Sequence, residues 1–105
     1  MEIKFSHNWN QKLGNKLFST IRKSNPQKAD YYVEHLDEVF EITLKGEKVC
    51  QAKLIDIWPV SLADIPLYLL MLDTGYTKEK DIFKLFKSFG VDPEDIVLVL
   101  MFERR

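Results

Sequence analysis

The segment formed by residues 3–29 concentrates positive charge in a protein whose formal net charge is only −1. It contains no Asp or Glu, so any attraction for phosphate groups must come from this segment and not from the molecule as a whole. Aromatic rings at Phe5, Trp9 and Phe18 are interleaved with the cations. Such a surface can hold a nucleic-acid backbone while a ring stacks on a base, although solvated lysines above buried rings would show the same pattern. The cations are Lys4, Lys12, Lys16, Arg22, Lys23 and Lys28.

Tyr31, Tyr32 and Trp9 are candidates for stacking on a base. Tyr31 and Tyr32 lie in the stretch 23–36, which has no clean period and is predicted to be a long loop beside the basic segment. Their adjacent rings could stack a base, or Tyr32 could anchor the loop. Trp9 is either a stacking platform or a lid over one end of the core.

The composition predicts a single globular domain over residues 1–105. The chain has 46% apolar and 30% charged residues, and no stretch rich in Gly, Ser or Pro divides it. Its longest apolar run, 66–72, is far shorter than the roughly 20 residues that a bilayer span requires. The first ten residues contain no apolar stretch typical of a secretory signal, so we expect a cytoplasmic protein.

Neither a metal nor a cofactor is expected. His7, His35 and the single cysteine, Cys50, are spaced unlike any metal-binding motif. The four glycines are scattered, so no glycine-rich phosphate loop is present.

Apolar alternation predicts the strands that must position these residues. A two-residue period indicates strands, and side chains on alternate positions then share a face, so Thr20 and Arg22 lie together while Ser19 points to the other side. The turn at 45–48 indicates a hairpin, and the apolar run near the C-terminus indicates a strand buried on both faces. The predicted strands are Glu2–Phe5, Phe18–Arg22, Asp37–Leu44, Val49–Trp58 and Asp95–Glu103.

Capping signals predict the helices. A helical turn within 8–16 is closed by Gly14, and a helix with Pro66 in its first turn, capped by Ser61 or Asp64, ends at Gly75. A second helix runs from the cap at Thr77 to Gly90. Together these elements predict an α+β domain whose five to six strands form a small β-barrel with two or three helices.

Three short motifs resemble a known family. Trp9, the turn 12–16 (KLGNK) and the strand 18–22 (FSTIR) are similar to the N-terminal motif of ASCH domains, which belong to the PUA-like superfamily. The order of predicted elements matches that family over nearly the whole chain. The resemblance implies a partly open barrel with a cleft beside the Gly-x-Lys turn, and RNA or modified nucleotides as ligands.

Some small ASCH proteins are amidohydrolases that remove acetyl from N-acetylcytidine with a lysine, a threonine and a carboxylate. The resemblance implies that the corresponding residues in this sequence are Lys16, Thr20 and Asp73. The family spacing is Lys-x-x-Thr-x-Arg, so either one residue is inserted here or Ser19 supplies the hydroxyl; strand alternation favours Thr20. Neutral Lys16 could take the Thr20 proton, or Asp73 could keep Lys16 charged as an electrostatic clamp.

Three functional hypotheses follow. In the first, the chain binds RNA or a modified nucleoside in a basic cleft. In the second, the chain is an amidohydrolase of an acylated nucleoside, and in the third it is a protein-interaction module without catalysis. Lys16, Thr20, Arg22 and Asp73 would line the cleft, and further ligand contacts would come from Lys12, Lys23, Trp9, Tyr31 and Tyr32.

Overall fold

The protein folds as an α+β domain of five strands and three α-helices. The computed structural model describes the backbone of residues 1–105 and every side chain except those of Trp9 and Asn10. The strands are β1 (Glu2–Phe5), β2 (Leu17–Lys23), β3 (Val39–Leu44), β4 (Glu47–Ser61) and β5 (Ile96–Arg104). The α-helices are α1 (Pro26–Glu34), α2 (Leu67–Thr74) and α3 (Glu79–Ser88), and two short 3₁₀ helices cover Trp9–Gly14 and Leu62–Asp64.

The strands form one sheet in the order β1-β3-β4-β5-β2. Only the β1–β3 pair is parallel. The long strand β4 pairs with β3 through its first half and with β5 through its second half, and its register shifts between Leu54 and Asp56. Such a bulge bends a strand, and the sheet curls into a half-barrel. The α+β class and the small barrel-like sheet predicted from the sequence are confirmed.

Strand β5 is buried on both faces of the sheet. On β5, Leu98, Leu100 and Phe102 enter one apolar cluster, while Val97 and Val99 enter a second cluster beneath α2 and α3. Burial on both sides explains why this strand is apolar at successive positions without polar alternation. The second cluster fixes α2 and α3 against the sheet, next to the site described below.

The hairpin and both later helices form as predicted, but the predicted cap of α2 at Ser61 or Asp64 is wrong: α2 begins after Pro66, and Ser61 precedes and Asp64 ends the short 3₁₀ helix before it. Lys45 and Gly46 take positive φ values of 52° and 84°, the conformation that a two-residue hairpin turn requires. Gly75 ends α2 with φ 80°. The cap of α3 is Lys78, one residue after the predicted Thr77. Over the described residues, none of the helices has the length and apolar character needed to cross a bilayer.

The prediction of a long loop over 23–36 is wrong, because residues 26–34 form helix α1. Asn25 caps the helix by accepting a hydrogen bond from the Lys28 backbone N–H at 2.8 Å, and Pro26 occupies the first turn. No side chain of α1 is fully buried, so the helix has no strong apolar stripe to reveal its period. The pair Asn25–Pro26 is the sequence signal that indicates the start of this helix.

Candidate functional site

A cavity of about 230 Å³ lies beside β2, between the N-terminal segment and the end of α3. Among the side chains that the structure describes, four cations and a single carboxylate line it. The predominance of cations makes it the natural receptor for an anion. The lining residues are Lys4, Phe5, Ser6, His7, Lys12, Thr20, Ile21, Arg22, Lys23, Asp73, Phe86, Phe89 and Val91.

A buried ion pair forms part of the cavity wall. The first 3₁₀ helix carries Lys12 and the last turn of α2 carries Asp73, and Lys12 Nζ lies 3.0 Å from Asp73 Oδ1. The two side chains are only 5% and 3% exposed. Burial lowers the pKa of Lys12 below its ordinary value of 10.5 because it disfavours the charged ammonium, and the charge of Asp73 opposes this shift.

The same carboxylate oxygen also binds a hydroxyl. Ser19 Oγ donates to Asp73 Oδ1 over 2.8 Å. Ser19 faces the side of β2 opposite to Thr20, where it lines a smaller cavity of about 170 Å³. Asp73 therefore joins Lys12, Ser19 and the basic cavity in one cluster.

Arg22 is held in a fixed orientation at the cavity wall. Its Nε donates to Thr20 Oγ1 at 3.0 Å, and its Nη2 donates to the Lys4 backbone carbonyl at 2.8 Å. The guanidinium carbon lies 4.8 Å from the centre of the Phe5 ring, within cation–π range. Burial lowers the pKa of Arg22, but an arginine side chain stays charged at neutral pH. The site thus contains an oriented guanidinium in a partly dry environment.

Most of the cationic and polar residues predicted for the site meet in this cavity. Lys12, Lys23 and Asp73 line it, and Thr20 and Arg22 share one face of β2 as strand alternation predicts. Lys23 Nζ donates to the Gly90 carbonyl at 3.0 Å, which places this ammonium at the rim near the end of α3. Thr20 is buried and its oxygen accepts from Arg22, so its contact in this structure is with a cation and not with a base.

Lys16 lies elsewhere. Its side chain is exposed, and Nζ donates to the Arg104 carbonyl at 3.0 Å, outside the residues that line the cavity. Lys16 follows the end of the first 3₁₀ helix, whereas Lys12 lies within that helix and is turned toward Asp73. The lysine that contacts the carboxylate is therefore Lys12. Nothing in the spacing of the sequence distinguishes the two lysines.

The paired tyrosines are on α1 and do not line the cavity. Tyr32 is half-buried and packs against the first apolar cluster, where its ring centre lies 6.3 Å from that of Phe40. Burial raises the pKa of Tyr32, and the charge of Arg22 opposes this shift, so the two side chains interact electrostatically. Tyr31 is 40% exposed. The predicted role of Trp9 concerns a side chain outside the described residues.

The end of α3 contributes lining residues that the sequence did not indicate. Phe86 and Phe89 lie at helical spacing, which indicates packing against the core. Phe86 is buried as expected, while Phe89 is half exposed, and both reach the cavity together with Val91. Their proximity to β2 depends on the tertiary packing of α3, which no local pattern encodes.

A larger groove of about 550 Å³ runs along α3 from the turn after α2. Its charged lining residues, Asp81 and Lys84, are both exposed. The smaller basic cavity, with its buried charges, is the better candidate site, since perturbed ionisable groups in a cleft mark functional sites more often than exposed ones do.

Among residues 1–8 and 11–105, no three His, Cys, Asp or Glu side chains lie close enough together to hold a metal ion. Comparisons with protein-family models, with curated proteins and with solved structures found no match for this chain. The residues of the cavity are therefore the basis for assigning a function.

Proposed function

We propose that this protein binds RNA, or a modified nucleoside, in the basic cavity beside β2. The observation that carries the proposal is the oriented Arg22 guanidinium above Phe5, in a cavity whose cations outnumber its single carboxylate. A guanidinium fixed by hydrogen bonds pairs well with phosphate oxygens, and aromatic walls suit a base.

The size of the cavity supports a small ligand unit. Cavities for drug-sized ligands enclose about 300–1,000 Å³, and this one encloses about 230 Å³. One nucleoside or the terminal nucleotide of a chain matches that volume better than a folded RNA element does. Neighbouring nucleotides would then follow the exposed cations Lys4 and Lys23 at the rim.

The test is RNA binding as a function of salt. We expect a fluorescently labelled single-stranded RNA to bind the wild-type protein, with an affinity that falls steeply as salt rises because bound phosphates release counterions. Arg22→Ala should weaken binding and reduce the slope of log K against log salt by about 0.7, the value for one phosphate contact on a single strand. Fluorescence anisotropy at several salt concentrations measures both quantities.

Lys84→Ala is the matched control, because it also removes one positive charge but lies on α3 outside the basic cavity. It should leave the affinity and the salt slope close to wild type. Equal losses in Arg22→Ala and Lys84→Ala would contradict the cavity as the site. If the wild-type protein binds neither RNA nor nucleosides, a protein-interaction module becomes the better hypothesis.

A second candidate function is hydrolysis of an acyl group from N-acetylcytidine or a related nucleoside. The contacts that favour it are those of Asp73 Oδ1 with Lys12 Nζ and Ser19 Oγ. A lysine whose pKa is lowered by burial is suited to accept the proton of the water molecule or hydroxyl that attacks the acyl carbon. The bond between the acyl carbon and the cytidine amino nitrogen then breaks, and the proton passes to that nitrogen; if a side-chain hydroxyl attacks, water afterwards hydrolyses the resulting ester. In this scheme Lys12 replaces Lys16 as the base, and Ser19 competes with Thr20 as the hydroxyl.

Chromatography of N-acetylcytidine incubated with the protein tests this activity. Turnover in the wild type that is lost in Lys12→Met but retained in Lys16→Met would support the scheme, and Ser19→Ala and Thr20→Val would separate the two hydroxyls. Absence of turnover by the folded wild-type protein at high concentration would reject hydrolysis of this substrate.

A further inference from the structure

We infer that the basic cavity recognises a phosphate monoester at the end of an RNA chain, with Arg22 as the main phosphate ligand and Thr20 as its positioning residue. The inference rests on the proposed function, because it names the chemical group by which that site would select its RNA.

Arg22 is prepared to bind an anion before any ligand arrives. Two of its hydrogen bonds are made to acceptors of the protein, and the Phe5 ring lies against the guanidinium. The Nη1 amino group forms no hydrogen bond among the described residues. A guanidinium whose plane is already fixed loses little conformational freedom when it binds phosphate oxygens.

Among the described residues, no carboxylate forms a hydrogen bond with Arg22, although the charge of Asp73 favours the charged guanidinium. Asp73, the one acid among the described residues that line the cavity, is bound through Oδ1 by Lys12 and by Ser19. Among the described residues, Arg22 forms no ion pair. Because Asp73 Oδ1 is already bound by Lys12 and Ser19, an anionic group that enters the cavity would give the partly buried guanidinium a hydrogen-bonded partner of its own.

A phosphate monoester fits this charge pattern better than an internal phosphodiester. It carries about 1.5 to 2 negative charges at neutral pH, as a phosphorylated side chain does, and the rim adds Lys4 and Lys23 to Arg22. An internal phosphodiester carries one charge and has RNA on both sides. A cavity of about 230 Å³ bounded by Phe5, Phe86 and Val91 accommodates the end of an RNA chain more readily than an internal phosphodiester with RNA on both sides.

Thr20 fixes the direction of the guanidinium. It is 4% exposed, and its oxygen accepts the Nε hydrogen of Arg22. Replacing Thr20 by Val keeps the shape but removes the acceptor, whereas replacement by Ser keeps the acceptor. The two variants therefore separate orientation of Arg22 from packing of β2.

The experiment compares three RNAs of identical sequence that end in a 5′-phosphate, in a 3′-phosphate, or in hydroxyls at both ends. Competition against one labelled RNA measures their affinities for the wild-type protein. We expect one of the phosphorylated RNAs to bind at least about tenfold more tightly than the hydroxyl RNA, in keeping with hydrogen bonds between charged groups. Arg22→Lys, which keeps the charge but loses the planar fork, should remove most of this preference.

The preference should also fall in Thr20→Val, which removes the acceptor for Arg22 Nε, and remain in Thr20→Ser, which keeps it. Thermal unfolding of each variant checks that it folds, and the comparison of RNA ends in the wild type needs no variant.

Equal binding of all three RNAs by the wild type would overturn the inference and leave RNA binding intact, whereas binding of none would reject the proposed function itself. Competition by inorganic phosphate as strong as that by phosphorylated RNA would also overturn it, since the cavity would then be a site for free phosphate.

Discussion

The basic cavity and the lysine face of α3 both carry several cations, but they place them in different environments. On the lysine face, which we define as Lys78, Lys80, Lys84 and Lys87, every lysine is exposed. In the cavity, Lys12 is almost fully buried against Asp73, and Arg22 is half-buried above Phe5. Solvent screens the first set, whereas the charges of the second set act at low dielectric and in fixed positions. Burial and partners therefore distinguish a candidate site from a solvated surface better than the number of cations does.

The largest expected effect comes from removing the acid of the buried pair. Asp73→Ala would leave the Lys12 ammonium buried without a counter-charge, and breaking a buried pair in this way costs about 3–5 kcal/mol. We expect the free energy of unfolding, measured by urea denaturation, to fall by that amount. A decrease below about 1 kcal/mol would contradict the importance of this contact.

Two controls sharpen this prediction. Glu41→Ala breaks the ion pair between Glu41 and Lys48, whose side chains are 50% and 57% exposed, and should cost at most about 1 kcal/mol. The double variant Lys12→Met with Asp73→Leu replaces the buried pair by apolar side chains of similar size, so it should recover most of the stability lost in Asp73→Ala.

The next largest effect is expected in the pH dependence of the free energy of unfolding. Because burial holds the pKa of folded Lys12 below 10.5, the unfolded chain binds more protons than the folded one at pH values between the folded and the unfolded pKa. The contribution of Lys12 to the free energy of unfolding therefore rises with pH across this window, up to about pH 10.5.

Urea denaturation at a series of pH values from neutral to alkaline measures this effect. The free energy of unfolding of the wild type should rise relative to that of Lys12→Met. The raised pKa of Tyr32 affects both proteins and cancels in the comparison. A difference that stays flat or falls with pH would show that burial does not disfavour the charged form of Lys12.

The smallest effect is expected at Lys16, which resembles the α3 lysines in its exposure. Its ammonium contacts only the Arg104 carbonyl among the described residues. Lys16→Ala should change the free energy of unfolding by less than about 0.5 kcal/mol, as surface substitutions usually do. It should also leave RNA affinity near the wild-type value at moderate salt. A large loss of RNA affinity would extend the binding surface to the end of β5.

The elements with strong local signals were predictable from the sequence. The apolar run of β5, the turn at Lys45 and Gly46, and the glycine that ends α2 each have a local physical cause. Helix α1 is not predicted from the sequence, because no buried apolar stripe supports the start signal at its N-cap, Asn25.

The site was predictable only in part. Strand alternation places Thr20 and Arg22 together, and the acid-free segment indicates where cations accumulate. The pairing of Lys12 with Asp73 joins residues that are 61 positions apart, and it depends on how α2 packs against the first 3₁₀ helix. Sequence spacing cannot reveal which lysine such packing will bury.

The central claim, that the basic cavity is the binding site, is tested most directly by nuclear magnetic resonance. Backbone amide resonances of the labelled protein would be followed during titration with a short single-stranded RNA. We expect the largest shifts around Phe5, Thr20, Arg22 and Asp73, and small shifts on the lysine face of α3. Shifts that are concentrated on the lysine face, or spread evenly over both regions, would contradict the central claim.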